Sequence, residues 1–265
     1  MIYLTTMIGP LARARGDEER AWEQVREILT DGPATEPGQA FFWTATRLQP
    51  LAAALALDAG DPPLARTWLD AHQRWLDWGD ATLGRAEHRF GRAEYERAAG
   101  NLAAAREHAR AALAHATTPR QPLALLAAHR LCGALATEGG DHAEAAAHLE
   151  AALALADACA APYERALTLL ALAALHSATG DAAAHAALDE YGAFASHSAR
   201  SPRRPAPPRL PRLPAPPAAP HPAPADAPPA PAGWARLAHS PRANWRSCAS
   251  WRRVARMPRW RNASA

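Results

Sequence analysis

A glycine followed by aspartate or asparagine recurs along this chain at a nearly constant interval. The first two pairs are 44 residues apart, and each later pair follows the previous one after 40 residues. A period of this length is typical of stacked helical hairpins, in which each repeat buries its apolar face against the next. The sequence therefore predicts an α-solenoid. The five pairs are Gly16-Asp17, Gly60-Asp61, Gly100-Asn101, Gly140-Asp141 and Gly180-Asp181.

The repeated pair has a physical role at the turn of each hairpin. Glycine adopts the left-handed conformation that closes one helix, and the Asp or Asn side chain accepts backbone N–H bonds at the start of the next. Four and eight residues after this cap, most repeats carry small or apolar residues on one helical face, which allows two helices to approach closely. The fifth repeat has His185 at the first position and is the least regular. The other four repeats carry Ala21 and Val25, Ala65 and Leu69, Ala105 and Ala109, and Ala145 and Leu149.

These signals predict an all-α, tetratricopeptide-like α-solenoid of about five helical hairpins within residues 1–192. No segment alternates apolar and polar residues well enough to predict a strand. Prolines fall between the hairpins, where helices must stop. The first helices are predicted at 2–15, 39–59, 82–99, 122–138 and 162–179. The second helices are predicted at 18–30, 63–78, 102–116, 142–159 and 182–192. The prolines are Pro33, Pro37, Pro119, Pro122 and Pro162.

The charge is divided unevenly along the chain. Residues 1–196 contain 16 arginines and 25 acidic residues, whereas residues 197–265 contain 13 arginines and a single acidic residue, Asp226. The three cysteines lack the spacing of metal ligands and cannot all pair with one another, which favours a reducing compartment. No apolar segment is long enough to predict a signal peptide or a membrane span. We therefore expect a cytoplasmic protein.

Two long segments carry a resemblance to a known family. They are "GQAFFWTATRLQPLAAALALDAGDPPLARTWLDAHQRWLDW" and "TPRQPLALLAAHRLCGALATEGGDHAEAAAHLEAALALADACAAPYERALTLLALAALHSATGD". Together with the spacer between them, they resemble the tetratricopeptide-like region of large bacterial LuxR-type (MalT-like) transcriptional regulators. The resemblance covers roughly residues 1–190. It implies a repeat region on which inducers or partner proteins act, an N-terminal ATPase module and a C-terminal helix-turn-helix that binds promoter DNA.

The chain departs from that pattern at both ends. The phosphate-binding motif GxxxxGK[ST] of the ATPase is absent, so we expect the chain to begin inside the repeat array. Between Ser201 and Pro231 there are 14 prolines in 31 residues, which predicts an extended, disordered linker over 193–232. An Arg/Trp-rich tail over 233–265, also predicted to be disordered, follows. Such a tail suits phosphates and bases, or an anionic membrane surface.

A frameshift accounts for this tail in another way. When the codons of residues 240–265 are read from their third base, suitable codon choices give TPRELEVLRLLAAGRADAEVAQRLG. This string resembles the start of the LuxR-type helix-turn-helix. Our hypothesis is that a frameshift, or an error in the gene sequence, lies between about Glu190 and Ser240. On that hypothesis the basic charge of the tail is a coding artefact and gives no evidence of DNA binding by this chain.

Candidate binding residues come from the first helices, which usually line the concave face of such solenoids. The alternative is that these residues belong to solvated helix faces. Trp75 and Trp78 are expected to pack within a hairpin, with a ligand groove as the alternative. His142, Glu144 and His148 lack the usual spacing of zinc ligands, so we expect no metal and no cofactor. The groove candidates are Arg47, Arg85, His88, Arg92, His129, Arg130 and Arg165.

Two functional hypotheses of different classes follow. The first is the sensory repeat module of a LuxR-type regulator, which here lacks its ATPase and DNA-binding domains and binds an unknown protein or small-molecule inducer. The second is a free-standing adaptor whose basic tail binds nucleic acid or an anionic surface. A third, weaker interpretation is a gene product that does not accumulate. No catalytic constellation stands out, so we do not expect an enzyme.

Overall fold

The computed structural model describes residues 2–181 and 183–200, and the side chains of 8–181 and 183–194. All of them belong to the first of two units, Met1–Arg212. Within this described part there are ten α-helices and no strand, which confirms the all-α solenoid. The predicted tail over 233–265 and most of the predicted linker lie outside the described residues. The helices are α1 (Ile2–Arg15), α2 (Glu18–Ile28), α3 (Phe42–Asp58), α4 (Pro62–Trp78), α5 (Arg85–Ala98), α6 (Leu102–Thr117), α7 (Pro122–Glu138), α8 (His142–Ala158), α9 (Pro162–Thr179) and α10 (Ala183–Arg200).

Consecutive helices pair into five hairpins, numbered 1 to 5 from α1–α2 to α9–α10. The glycine of each repeated pair has a φ between 70° and 80°, as its position after the first helix requires. Asp17, Asp61 and Asp141 then accept hydrogen bonds from backbone N–H groups three residues ahead, at distances of 2.9 to 3.2 Å. Asn101 makes no such cap, because its amide donates instead to Glu96. The repeated pair therefore forms the hairpin turn that the sequence predicts.

The small residues after each cap form the close contact between the helices of a hairpin. The alanines at the first position and the residues at the second position are buried in hairpins 1 to 4. Hairpin 5 differs, as its sequence suggests. Asp181 accepts from the N–H of Ala183 only two residues ahead, His185 is exposed, and Ala187 is buried in its place. The last hairpin therefore packs in a different register.

The hairpins stack through both of their helices. Each second helix contacts the first helix of the next hairpin, and each first helix also contacts the first helix of the next hairpin. The first helices α1, α3, α5, α7 and α9 thus form one continuous row. Leu48, Leu69 and Trp75 belong to the buried core of the first two hairpins. Smaller apolar clusters join the later hairpins.

The first repeat is 44 residues long rather than 40, and the additional residues lie in the connection between α2 and α3. This connection contains a short 3-10 helix, Gly32–Ala34, and it is held against α4 by side-chain hydrogen bonds. The indole Nε1 of buried Trp75 donates to the Thr35 carbonyl at 3.1 Å, and Arg74 donates to the Pro33 carbonyl at 2.9 Å. Trp75 therefore packs inside the hairpin, as predicted.

The structure differs from the predicted helix bounds mainly at the C-terminal end. The sequence predicts that the last helix ends at 192 and that a linker begins at 193, whereas α10 continues to Arg200. Gly192 lies inside this helix and does not stop it. Among the described helices, none is long and apolar enough to cross a membrane.

Candidate protein-interaction surface

The seven predicted groove residues lie on the first helices of hairpins 2 to 5, and six of them contact neighbouring residues of the array. Arg47 is exposed and makes no hydrogen bond or ion pair within the described part of the chain. The other arginines bind carboxylates, and the two histidines lie beside other histidines. Partner binding by these residues stays a prediction. The contacts are Arg85 with Asp77, Arg92 with Asp70, Arg130 with Glu164, Arg165 with Asp157 and Glu190, His88 with His72, and His129 with His148.

One kind of ion pair recurs in alternate hairpins at the start of the first helix. Arg85 Nη1 lies 3.1 Å from Asp77 Oδ1, and Arg165 Nε lies 2.7 Å from Asp157 Oδ1. In both cases the arginine follows its partner by eight residues and joins the first helix to the end of the preceding second helix. The hairpin between them has Leu125 at the arginine position, so it lacks this pair.

A second kind of ion pair also skips every other hairpin. Arg13 Nε lies 2.6 Å from Asp58 Oδ2, and Arg97 Nε lies 2.9 Å from Glu138 Oε1. Each pair joins the C-terminal ends of two consecutive first helices. Hairpin 2 has Leu57 at the corresponding position and cannot form the pair. Such partly exposed pairs contribute little stability.

Charged side chains of alternate hairpins act on one another along the row of first helices. Burial lowers the pKa of Arg13. Its hydrogen bond to Asp58 and the charges of Asp58, Glu94 and Tyr163 raise the pKa by more than burial lowers it, so the net shift is upward. Burial raises the pKa of Glu94 despite the positive charges of Arg97 and Arg13. Arg13 on α1 is therefore within electrostatic range of Glu94 on α5 and of Tyr163 on α9.

Polar side chains also meet inside hairpins, at equivalent positions 40 residues apart. His129 Nδ1 lies 2.9 Å from His148 Nδ1 in hairpin 4, and Arg89 Nη1 lies 3.4 Å from His108 Nδ1 in hairpin 3. At least one ring of the histidine pair must be neutral to accept this bond. Burial and the charge of His148 lower the pKa of His129. Among the described residues, no group of three or more ligands is placed to hold a metal ion.

An exposed apolar position recurs with the period of the glycine pairs. Trp43, Leu83, Leu123 and Tyr163 are each separated by 40 residues and lie at or just before the first turn of α3, α5, α7 and α9. Their exposed fractions are 51% for Trp43, 44% for Leu83 and 58% for Leu123, and Tyr163 is half-buried. Because neighbouring first helices contact each other, these four side chains follow one end of the row. We refer to these four residues as the apolar ladder.

An aromatic patch adjoins the ladder at Trp43. The ring of Phe42 packs edge-on against Trp43, with centroids 5.4 Å apart, and also contacts Trp78, at 6.3 Å. Gly79 permits this arrangement, since a Cβ there would lie 2.6 Å from the Phe42 ring. Phe41 and Trp78 are exposed, Trp78 by 62%. Trp78 therefore packs on Phe42 of its own hairpin, as expected, but keeps most of its surface exposed. We refer to Phe41, Trp43 and Trp78 as the aromatic patch.

The cysteines of the described residues are free thiols. Burial raises the pKa of Cys132 to about 11, so this thiol is neutral and unreactive. Cys132 lines a small recess with Arg106, Arg110 and Glu144, whose volume is about 10 Å³. Pockets for drug-sized ligands typically measure about 300–1,000 Å³. Cys159 is half-buried at the end of α8, and Cys248 lies outside the described residues.

The fold defines a class, the α-solenoids built from helical hairpins. Among solved structures, the chain is similar to BtubC (BKLC) from P. vanneervenii, with a TM-score of 0.53 and 20% sequence identity. The similarity covers 79% of this chain and 84% of that chain. At this identity the likeness shows the fold alone. No protein-family model and no curated protein sequence matches the chain.

Proposed function

We propose that the five hairpins form a protein-binding module whose binding surface is the apolar ladder with its adjoining aromatic patch. The observation that carries this proposal is the recurrence of large apolar side chains at one exposed position in successive hairpins. Burial does not explain that recurrence, because three of the four side chains are 44–58% exposed. Each exposed Å² of apolar surface forgoes roughly 25 cal/mol of burial energy. Around Trp43 the exposed side chains form a cluster with Trp78 on the Phe42 ring, and exposed apolar clusters are typical of interaction sites.

A protein partner fits the geometry better than a small molecule. The ladder follows the row of first helices across four hairpins. The recess beside Cys132 has a volume of only about 10 Å³, and the open depression lined by Asp157 and Arg165, at about 300 Å³, is at the lower limit of ligand pockets. Binding of a small-molecule inducer stays a prediction of the resemblance. The charged pairs on the first helices already have their partners within the array.

Site-specific photo-cross-linking in cells that naturally express the chain tests this proposal. A photoreactive residue at position 83 or 123 should give a discrete cross-linked protein. The same residue at position 150, which is exposed on α8, should not. Equal cross-linking at all three positions, or none at positions 83 and 123, would overturn the proposal.

We further propose that the module belongs to a LuxR-type (MalT-like) regulator of the cytoplasm. The resemblance of residues 38–78 and 118–181 supports this family, and both segments fall within the described hairpins. Sequencing the coding DNA from codon 180 past the stop, with translation in all three frames, is the test. A helix-turn-helix that continues in the shifted frame beyond residue 265 supports the family. A shifted frame that breaks down contradicts it.

The adaptor is the second candidate, and the charge division favours it. Residues 197–265 carry 13 arginines and one acidic residue, next to a repeat array with an acidic excess. If this tail is genuine, the full chain should bind DNA with strong salt dependence. That binding should vanish when the chain ends at Arg200, where α10 is complete. DNA binding that survives the truncation would count against the adaptor.

A further inference from the structure

We propose that the ligand of the apolar ladder is a basic, proline-rich segment in the polyproline II conformation, with an apolar side chain at every third residue. The inference rests on the proposed protein-binding function and names its partner class. The spacing of the ladder, the aromatic patch and the charge of the array each support it.

The spacing comes from the stacking of the first helices. Packed helix axes lie about 8–10 Å apart, and α3, α5, α7 and α9 contact one another in that order. One ladder residue per hairpin therefore gives an apolar contact roughly every 8–10 Å. A polyproline II segment rises about 3.1 Å per residue with three residues per turn, so every third side chain recurs after roughly 9 Å on the same face.

Other extended or helical ligands match the ladder less well. A β-strand places residues i and i+3 on opposite faces, so it cannot present an apolar side chain at this interval to one surface. An amphipathic α-helix presents a continuous apolar stripe and typically binds in a continuous apolar groove. The ladder consists instead of single side chains, one for each hairpin. Its form therefore favours polyproline II.

The aromatic patch supplies the side chains that bind proline. Proline-rich segments dock on aromatic-lined grooves because the preformed polyproline II helix loses little entropy on binding. Trp43 and Trp78 both pack on the Phe42 ring, which holds the two exposed indoles in place before any ligand arrives. The patch therefore forms a rigid end of the ladder.

The charge of the array favours a basic segment. Residues 1–196 contain 25 acidic residues and 16 arginines, and two arginines beside the ladder, Arg85 and Arg165, are neutralised by ion pairs. Asp80 is exposed three residues before Leu83, although Arg47 and Arg120 are exposed as well. The attraction is therefore a property of the whole array rather than of one contact. Such a field steers association and weakens with salt.

Fluorescence anisotropy with labelled synthetic peptides and the full chain tests the inference. The probe is five repeats of Leu-Pro-Arg. One control peptide repeats Leu-Pro-Pro-Arg, which moves leucine to every fourth residue, and the other repeats Leu-Pro-Glu. We expect the probe to bind at least about tenfold more tightly than either control, which corresponds to about 1.4 kcal/mol. Equal affinity for the probe and the period-four peptide would overturn the inference.

Protein variants locate the binding site. Leu83→Ser combined with Leu123→Ser should weaken binding of the probe at least about tenfold, about 1.4 kcal/mol. Leu188→Ser is the matched control, because Leu188 is similarly exposed but lies on α10, away from the ladder. Thermal melts followed by circular dichroism verify that all variants fold. Unchanged affinity of the double variant would show that the ladder is not the site.

The two proposals fail in distinguishable ways. If positions 83 and 123 cross-link to a partner but the Leu-Pro-Arg probe does not bind, the protein-binding function stands and the polyproline inference is wrong. A peptide with leucine at every seventh residue identifies a helical ligand in that case, if its binding is lost in the double variant. If both the cross-links and the probe fail, both proposals are wrong.

Discussion

The imidazole rings of His72 and His88 are buried between α4 and α5, with centroids 5.5 Å apart. Within the described part of the chain, both ring nitrogens of His72 and the Nδ1 of His88 lack a hydrogen-bond partner. Burial lowers the pKa of His72 to about 3, and the charge of His88 adds to this effect. Burial also lowers the pKa of His88 to about 4, assisted by the charges of Arg92 and Arg89. Both rings are therefore neutral at neutral pH.

These rings make stability depend on pH. Between pH 6.5 and the lowered pKa values, the unfolded chain binds protons that the folded chain does not, so the free energy of unfolding is highest above pH 6.5 and falls as the pH drops. We expect each ring to contribute up to about 1.4 kcal/mol per pH unit. His72→Gln should reduce this slope in urea titrations between pH 7 and 5. His185→Gln, at an exposed site, should leave it unchanged, and an unaltered slope in His72→Gln would contradict the prediction.

Trp75 and Trp78 lie three residues apart on α4, and we expect their substitution by Phe to have different effects on the free energy of unfolding. Trp75→Phe removes the bond to the Thr35 carbonyl from a fully buried site, so we expect a loss of about 1–3 kcal/mol in the free energy of unfolding. Trp78→Phe keeps an exposed ring and should change the free energy of unfolding by less than about 0.5 kcal/mol. Urea unfolding measures both. Equal losses would show that the Trp75 hydrogen bond has no special role.

At the level of the helix, the alanine after each cap sets how closely two helices approach. Ala105 is fully buried in the cluster that joins α5, α6 and α7. Ala105→Leu should destabilise the chain by about 1–3 kcal/mol, because the close contact leaves no room for the larger side chain. Ala114→Leu on the same helix is the control, because Ala114 is exposed. Thermal unfolding compares the two variants, and similar midpoints would contradict the prediction.

Helix positions could be read from the sequence because the stop signals are local. The predicted 122–138 coincides with α7, since Pro122 and the Gly139-Gly140 pair mark its two ends. The end of α10 could not be read in this way. The last helix is predicted to end at 192, but Gly192 lies inside α10, where a glycine costs only about 1 kcal/mol relative to alanine, and the helix continues to Arg200.

For the molecule as a whole, stability should decline toward the last hairpin. Solenoid repeats are stabilised by their neighbours, and α10 packs on α9 with Ala187 as its buried described residue. We expect the amides of α10 to exchange with deuterium faster than those of α8, the second helix of the preceding hairpin. Exchange followed by mass spectrometry checks this. Equal protection of α8 and α10 would indicate that hairpin 5 is stabilised as well as hairpin 4.

The spacing of the ladder residues is visible in the sequence, but only the structure shows that these side chains are exposed. Trp43, Leu83 and Leu123 have the same 40-residue spacing as the glycine pairs, so the signal is present. Large apolar residues in a helical repeat are nevertheless expected in the core, and the sequence does not show that this position faces solvent. For the predicted groove arginines, the sequence suggests a binding role, but the structure shows partners within the chain. Arg130 and Arg165 carry the charge that a binding groove needs, but carboxylates of neighbouring helices already occupy them.

The ion pair between Arg85 and Asp77 recurs after two hairpins, in Arg165 and Asp157. Arg85 and Arg165 each follow their aspartate by eight residues, and Leu125 breaks the series between them. Excision of residues 81–160 would leave Asp77 eight residues before Arg165, so the pair would form again across the junction. Excision of residues 81–120 would instead set Asp77 against Leu125. Loss of two whole hairpins would therefore conserve this ion pair at the junction, whereas loss of one would not.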